Sequence, residues 1–182
     1  MTVSLLLMLV PFSAPIELTA QTRAKLEQIA FQAAREGDTK TLREYFRLGM
    51  PVNVVNERGD SLLILAVYHG QTEAAALILR QPGLEVGYRN RMGFNALDGA
   101  AFKGNVELIQ QLIQAGAKVN AQSPSGRTAL MLAAMTNRLE AAKELLAAGA
   151  DASLADERGT TALKLAELQG AEALVNLLRQ QK

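Results

Sequence analysis

Glycine recurs in this chain at a period close to 33 residues, in three separate series. The first series is spaced by 34, 33 and 33 residues and consists of Gly59, Gly93, Gly126 and Gly159. The second has asparagine at one place and consists of Gly37, Gly70, Gly104, Asn137 and Gly170. The third consists of Gly49, Gly83, Gly116 and Gly149. A period of this length is typical of solenoid proteins, so the chain is expected to fold as a stack of similar units.

The segments between these glycines have the pattern of two short helices per repeat. Apolar residues recur at helical spacing, as in Leu130, Ala133 and Ala134 and again in Leu139, Ala142, Leu145 and Leu146. Each first helix is preceded by a residue whose side-chain oxygen can cap a free backbone N–H, namely Ser61, Asn95, Thr128 and Thr161. One helix pair cannot bury its apolar face alone, so neighbouring pairs must stack.

The same segments resemble the ankyrin family. Its Thr-Pro-Leu-His-x-Ala motif corresponds here to Thr128-Ala-Leu-Met-Leu-Ala133 and Thr161-Ala-Leu-Lys-Leu-Ala166, and its Leu-Leu-x-x-Gly-Ala-Asp ending to Leu145-Leu-Ala-Ala-Gly-Ala-Asp151. No repeat keeps the motif's proline or histidine. The resemblance covers roughly residues 26–182 and implies an all-α ankyrin-repeat solenoid of about five helix-turn-helix repeats with terminal capping repeats.

The positions of the repeats along the chain follow from this register. We place repeats at about 22–55, 56–89, 90–122, 123–155 and 156–182, within one domain spanning 22–182. The second repeat has one extra residue between Gly70 and Gly83, which Pro82 explains as a lengthened helix exit because proline cannot continue a helix. The final helix is expected to have a polar outer face made of Glu172, Asn176, Arg179 and Gln180.

Residues 1–21 differ from the repeats. The apolar run Val3–Val10 favours a secretory signal peptide ending near Ala14 or Ala20, although no Lys or Arg precedes it. The alternative is an apolar N-terminal arm that packs on the first repeat. The first interpretation predicts a periplasmic or secreted bacterial protein, and the second a cytoplasmic one. The run is too short for a stable membrane span.

Composition excludes several classes of function. The chain has 19 basic and 18 acidic residues for a net charge of +1, with no basic block, so no nucleic-acid footprint is visible. It contains no cysteine, and therefore neither a disulfide framework nor a thiolate metal site. The glycines are periodic and form no phosphate-binding loop. We expect the protein to bind no cofactor and no metal. We also expect it to be a monomer.

The resemblance also implies where a partner would bind, at the turn tips between repeats and at the ends of the first helices. Large apolar residues fall on such positions in three consecutive repeats, where Arg and Lys accompany them as at an interface centre. The alternative is that one or two of them tuck under the turns as packing. The predicted partner-binding residues are Arg58, Tyr68, His69, Arg91, Met92, Phe94, Phe102, Lys103, Arg127 and Met135.

Other chemical groups favour structural roles. His69 is a lone histidine without a second ligand at metal spacing, and is expected to face solvent. Glu140 and Glu144 lie one helical turn apart on a solvated face, and Asp98 is expected to bond local backbone. The recurring arginines of the turns favour an acidic partner and turn solubility equally; they are Arg58, Arg91, Arg127 and Arg158.

The sequence thus predicts a non-catalytic protein–protein interaction module, and it does not identify the protein partner. The alternative from another class is an accessory protein that supports an exported enzyme, for instance a redox enzyme, or that binds a small ligand.

Overall fold

The computed structural model describes residues 18–181, and these form five pairs of α-helices. The first helices of the pairs are α1 (Ala20–Glu36), α3 (Leu62–Tyr68), α5 (Ala96–Lys103), α7 (Ala129–Met135) and α9 (Ala162–Leu168). The second helices are α2 (Thr39–Arg47), α4 (Thr72–Leu79), α6 (Val106–Gln114), α8 (Leu139–Ala147) and α10 (Glu172–Arg179). Within residues 18–181 extended structure is limited to two isolated bridges, Val55 with Ser61 and Ala155 with Thr161.

The helix pairs stack into two layers. Each first helix packs on the first helix of the next pair, and the second helices pack on one another in the same order. Within a pair, the two helices pack against each other. The predicted all-α stack of five helix-turn-helix repeats is confirmed.

Side-chain caps begin the first helices, as the sequence predicts. The side-chain oxygens of Ser61, Thr128 and Thr161 accept the backbone N–H three residues further on, at 3.2, 3.3 and 3.3 Å. Asn95 does the same for Asp98 at 2.8 Å. Each cap satisfies a donor that has no partner within its helix, which stabilises the start of the helix.

The core lies between the two layers and is built largely from alanine and leucine. Ala66, Ala100, Ala133 and Ala166 occupy the same register of four first helices and are fully buried. Because an alanine adds only one methyl group, the first helices can approach closely at this register. Larger side chains on the second helices, such as Leu108, Leu112 and Leu145, fill the space between the layers.

Two turn positions show why the register selects glycine. Gly126 has φ +79°, and a Cβ added there would lie 2.9 Å from the Cα of Asp156 in the next turn. The substitution would therefore strain the backbone and push adjacent repeats apart. Asn137 stands where the other repeats have glycine and has φ 52°, which asparagine tolerates better than most residues.

The first repeat differs from the others at its start. α1 begins at Ala20, two residues before the predicted start of the repeat, with Thr19 as its N-cap. It is 17 residues long, whereas the other first helices have seven or eight. The predicted signal-peptide run Val3–Val10 and the cleavage site after Ala14 lie outside the described residues. Leu18, within them, packs against the core.

The lengthened exit of the second repeat is confirmed, because α4 ends at Leu79 and Gly83 follows four residues later. In three other repeats the corresponding glycine comes two residues after the helix.

The polar face expected on the last helix is present. All four predicted residues are exposed, namely Glu172, Asn176, Arg179 and Gln180. Arg179 pairs with Glu167 at 3.0 Å, and Lys164 lies 3.9 Å from the same carboxylate. In the internal repeats, the register of Glu167 holds the buried residues Val67, Ala101 and Ala134. Charged side chains thus replace apolar ones on this end of the stack.

Candidate partner-binding face

Three of the four turn tips are held by a side chain that accepts two backbone N–H groups, and in the fourth Ser123 Oγ accepts one, from Arg127 at 3.1 Å. Asn90 Oδ1 accepts from Met92 and Phe94, both at 3.0 Å. Asn56 does the same for Arg58 and Asp60, and Asp156 for Arg158 and Thr160. Each tip therefore has a defined backbone before any partner arrives, so little ordering entropy opposes binding.

Neighbouring tips are also bonded to each other. Asn90 Nδ2 donates to Asp60 Oδ1 at 2.7 Å, joining the tips of repeats 2 and 3. Gln122 Nε2 donates to the carbonyls of Gly126 and Ala155, at 2.8 and 3.2 Å, which joins the tips of repeats 4 and 5. Arg89 joins repeats 3 and 4 by donating to the carbonyls of Gly93 and Ala121, so the tips form one continuous edge.

The ends of the first helices carry a row of large apolar residues at repeat spacing. Its members are one repeat apart and consist of Tyr68, Phe102, Met135 and Leu168, which we call the apolar row. Tyr68 is 47% exposed and Leu168 is 68% exposed, while Phe102 and Met135 are half-buried. Exposed apolar residues in a continuous set are unusual on a soluble surface and mark interaction sites.

Contacts between repeats hold the apolar row in place. Lys103 Nζ lies 4.3 Å from the centre of the Tyr68 ring, a cation–π contact that bridges α5 and α3. The carbonyl of Phe102 accepts from Thr136 Oγ1 at 3.1 Å and from Arg138 Nε at 3.3 Å. These bonds tie the end of α5 to the end of α7.

The structure separates the ten predicted partner-binding residues into two groups. Six are exposed: Arg58, Tyr68, His69, Arg91, Met92 and Lys103. Four are half-buried: Phe94, Phe102, Arg127 and Met135. They lie on the turn tips and the ends of the first helices, and the partial burial of Phe94 and Phe102 means that both rings also contribute to packing. The most exposed apolar side chain among them is Met92, at 77%.

Two exposed large apolar residues were absent from the predicted set, Val55 and Leu168, and Leu168 belongs to the apolar row. Its signal was available in the sequence, since it follows Met135 by one repeat. Including it extends the apolar row from three repeats to four.

Charge is distributed unevenly over this face. In repeats 3 and 4 the turn tips and first-helix ends hold three basic residues and no acidic one; the positions are Arg91, Met92, Phe94, Phe102, Lys103, Pro124, Ser125, Arg127, Met135 and Thr136. Repeat 2 has Glu57 and Asp60 at its tip, and repeat 5 has Glu157. The centre of the face is therefore positive, and acidic groups lie toward its ends.

Asp98 is the buried acid of the described residues and lies beneath this face, with 2% exposure. Its Oδ2 accepts the backbone N–H of Asn95 at 3.0 Å, which confirms the predicted bond to local backbone. The same oxygen pairs with Arg89 Nη1 at 2.6 Å, an interaction that the sequence did not reveal. Burial raises the pKa of Asp98, against the lowering effects of the Asn95 N–H and of Arg89.

Arg89 links three parts of the stack. Besides Asp98 in α5, it donates to the carbonyl of Gly93 at 2.7 Å and to that of Ala121 at 3.1 Å. One repeat later, Gln122 bonds the turn in the same way but carries no charge. The pair of Arg89 and Asp98 is thus a structural connection between repeats, with Asp98 buried and Arg89 20% exposed.

Three other titratable residues were singled out in the sequence, namely His69, Glu140 and Glu144. His69 is exposed, with its ring edge-on to Tyr68 at 5.7 Å. Glu140 is exposed and pairs with Lys143 at 2.7 Å, as on a solvated helix face, whereas Glu144 is half-buried. Between residues 18 and 181, no three His, Cys, Asp or Glu side chains come together in a way that could hold a metal ion.

None of the helices between residues 18 and 181 is long and apolar enough to cross a membrane.

Comparison with known proteins places this architecture. The family model described as ankyrin repeats (3 copies) matches residues 30–123 and 99–182. An ankyrin repeat protein of Pseudomonas aeruginosa is 41% identical over 61 residues, which are 34% of this chain and 35% of that protein. Ankyrin repeat and SOCS box protein 3 of Bos taurus is 34% identical over 85 residues, 46% of this chain and 16% of that protein, and its Homo sapiens counterpart is 33% identical over the same length and shares. The chain thus spans about a third or less of the length of these relatives.

Proposed function

The chain belongs to the ankyrin-repeat family, and from this premise we propose that it is a non-catalytic module that presents the turn tips and the apolar row to a protein partner. Ankyrin repeats are in general protein–protein interaction modules without enzymatic activity. The observation that carries the proposal is the apolar row, which repeats at one register over four consecutive first helices and leaves Tyr68 and Leu168 substantially exposed.

The character of the surface supports a protein partner. Met92 at the tip of repeat 3 and Tyr68 at the end of α3 supply large apolar contact area, and Arg91 and Lys103 stand beside them. Aromatic residues, methionine and arginine are enriched at interface centres. The bonds within and between the tips hold the surface in one arrangement, so binding requires little reorganisation.

Site-specific photocrosslinking in the native cell tests this function. A photoreactive amino acid is placed at Met92, at Tyr68 or, as a control, at the exposed Gln110 of the second-helix layer. We expect the same protein adduct from Met92 and Tyr68 and none from Gln110. The adduct formed at Met92 should disappear when Tyr68→Ala and Leu168→Ser are combined, since both residues are exposed and neither holds the core.

Two results would contradict the proposal. One is an absence of protein adducts at Met92 and Tyr68, and the other is an adduct pattern shared with Gln110. Phe94 and Phe102 stay unchanged in this experiment because both are half-buried, and their loss would mix binding with stability.

Export is a separate part of the proposal. The apolar run Val3–Val10 supports a secreted or periplasmic location. Intact mass and N-terminal sequencing of the protein from fractionated native cells tests it. A chain that begins after Ala14 or Ala20 outside the cytoplasm is the expected result, and a chain retaining Met1 in the cytosol would overturn it.

A further inference from the structure

The accessible face of α5 contains a glycine in the middle of the helix. The residues of α5 that are not buried are Gly99, Phe102 and Lys103. They lie three and four positions apart and therefore share one face of the helix. Phe102 belongs to the apolar row, so Gly99 lies one turn below the row's second member.

The fold does not require glycine at this position. Gly99 lies within a regular helix, and a Cβ added there would meet one heavy atom within 4 Å among the described residues, Val67 Cγ1 at 3.9 Å. That distance is ordinary van der Waals contact. Glycine inside a helix lowers stability relative to alanine. The chain thus carries an unfavourable residue where an added methyl group would make only ordinary contact.

The neighbouring first helices show what is missing. Leu65 of α3 and Leu132 of α7 occupy the register of Gly99, and both are buried. Since α5 packs between these two helices, the position between Leu65 and Leu132 has no side chain. We call this position the Gly99 notch: Gly99 forms its floor, Leu65 and Leu132 stand at the same register on either side, and Phe102 lies one turn above.

The charges around the Gly99 notch have one sign. Lys103 follows Gly99 by four residues, one turn along the same face. Arg91 and Arg127 are at the tips of repeats 3 and 4, where the face carries no acid. Asp98, the residue before Gly99, is neutralised by Arg89. Asp60 and Asp156 lie at the neighbouring tips, where Asp60 bonds Asn90 and Asp156 faces Arg127. At the centre of the face the charged side chains are basic, which favours acidic side chains in a ligand segment.

We propose that the Gly99 notch receives one aliphatic side chain, of about leucine size, from an acidic segment of the partner protein. This inference rests on the proposed function and names the partner's chemistry. The aliphatic side chain occupies the space that leucine fills in the neighbouring helices, and flanking Asp or Glu side chains pair with Lys103, Arg91 and Arg127.

Selection from a random peptide display library tests the inference without knowledge of the partner. The wild-type chain is expected to enrich peptides in which Leu, Ile, Val or Met is flanked by Asp or Glu. For a peptide so selected, Gly99→Leu should weaken binding at least about tenfold, because it fills the notch and removes the burial of one apolar side chain. Lys103→Glu should weaken it by about the same factor, and added salt should reduce the difference.

The chain supplies matched controls for both changes. Gly87→Leu is the same substitution in the loop after α4, where an added Cβ meets nothing within 4 Å. Lys118→Glu is the same charge reversal at an exposed position in the loop after α6. Both controls should leave peptide binding unchanged. Thermal unfolding of each variant is followed by circular dichroism, so that only folded proteins are compared.

Several results would overturn the inference. Among them are enriched peptides without an acidic and aliphatic pattern, no enrichment by the wild-type chain, and equal binding by wild type and Gly99→Leu. Self-association of the wild-type chain that Gly99→Leu abolishes would assign the notch to a second copy and likewise overturn it. Specific crosslinks at Met92 together with any of these outcomes would leave the proposed function standing.

Discussion

Replacing Arg89 by glutamine should destabilise the protein, and a second substitution, Asp98→Met, should restore most of the loss. Arg89→Gln leaves the carboxylate of Asp98 buried without its charged partner. Removing one partner of a buried ion pair costs about 3–5 kcal/mol of unfolding free energy. Because Arg89 is 20% exposed and glutamine can keep its carbonyl contacts, we expect the lower end of that range, about 3 kcal/mol.

The fourth repeat shows why the double variant should recover. At the registers of Arg89 and Asp98 it has Gln122 and Met131. Gln122 keeps the two carbonyl bonds of the turn, and Met131 is buried in the first-helix layer. The double variant therefore gives repeat 3 an arrangement that the chain already uses. Replacing a buried ion pair by well-packed apolar residues is often close to neutral, so we expect it within about 1 kcal/mol of wild type.

Urea unfolding of wild type, both single variants and the double variant measures the coupling between the two residues. Asp98→Met alone should also destabilise, since it leaves the guanidinium without its carboxylate. The expected coupling energy is about 2 kcal/mol or more in favour of the pair. If the two single effects simply add in the double variant, within about 0.5 kcal/mol, the argument for a mutually dependent buried pair is refuted.

The pH dependence provides an independent check on the same pair. Burial raises the pKa of Asp98 and Arg89 lowers it, so removal of Arg89 should raise that pKa further. A carboxyl whose folded pKa exceeds its unfolded value contributes stability that is fully present below the unfolded pKa and is lost as pH rises through the folded pKa. The deficit of Arg89→Gln relative to wild type should therefore be smallest at and below the ordinary aspartate pKa of 3.8, and grow as pH rises toward neutral. A deficit that is independent of pH would mean that Arg89 does not lower the pKa of Asp98 in the folded protein.

Two further predictions concern loops between repeats. Asn53 bonds the carbonyl of Gly83 and the N–H of Glu85, and Asn120 bonds Gly149 and Asp151 in the same way. The residue at the same register in the repeat between them is Gly87, so Gly87→Asn should supply the missing bonds and raise the unfolding free energy by about 1 kcal/mol in urea titrations. No gain would mean that this loop cannot adopt the arrangement. Asn137 has a left-handed backbone where four other repeats have glycine, so Asn137→Gly should be neutral or slightly stabilising. Asn137→Ala should lower the melting temperature, by an amount that corresponds to a loss of about 1 kcal/mol of unfolding free energy. Equal effects of the two substitutions would contradict the backbone argument.

The repeat register could be predicted from the sequence because the backbone conformation at these positions requires glycine locally. Positive φ at a helix end, and the close approach of the next turn at Gly126, depend only on residues within one repeat and its neighbour. The caps at Ser61, Asn95, Thr128 and Thr161 are local in the same sense. These features repeat, so each occurrence supported the others.

The pair of Arg89 and Asp98 was not predictable on that basis. It is present in one repeat, and its two residues belong to a loop and to a helix that meet only after the turn has folded back. The degree of burial of Phe94 and Phe102 likewise could not be predicted from the sequence, since it depends on how each ring packs against adjacent repeats. The sequence did distinguish Arg89 in one respect, because it is charged where other repeats have the uncharged residues Val55, Gln122 and Ala155.

Gly99 departs from the otherwise consistent local pattern, and its substitution by alanine separates a structural role from a binding role. If glycine is present for backbone reasons, Gly99→Ala should destabilise the protein. If it is present to leave the surface open, the added methyl group should make ordinary contact with Val67 and improve helix propensity, raising the unfolding free energy by about 0.5–1 kcal/mol. We expect the second result in urea titrations, with Gly87→Ala as the loop control. A loss of stability would remove the basis for the Gly99 notch, whereas a gain in stability accompanied by weaker peptide binding would identify a position where the chain gives up stability for recognition.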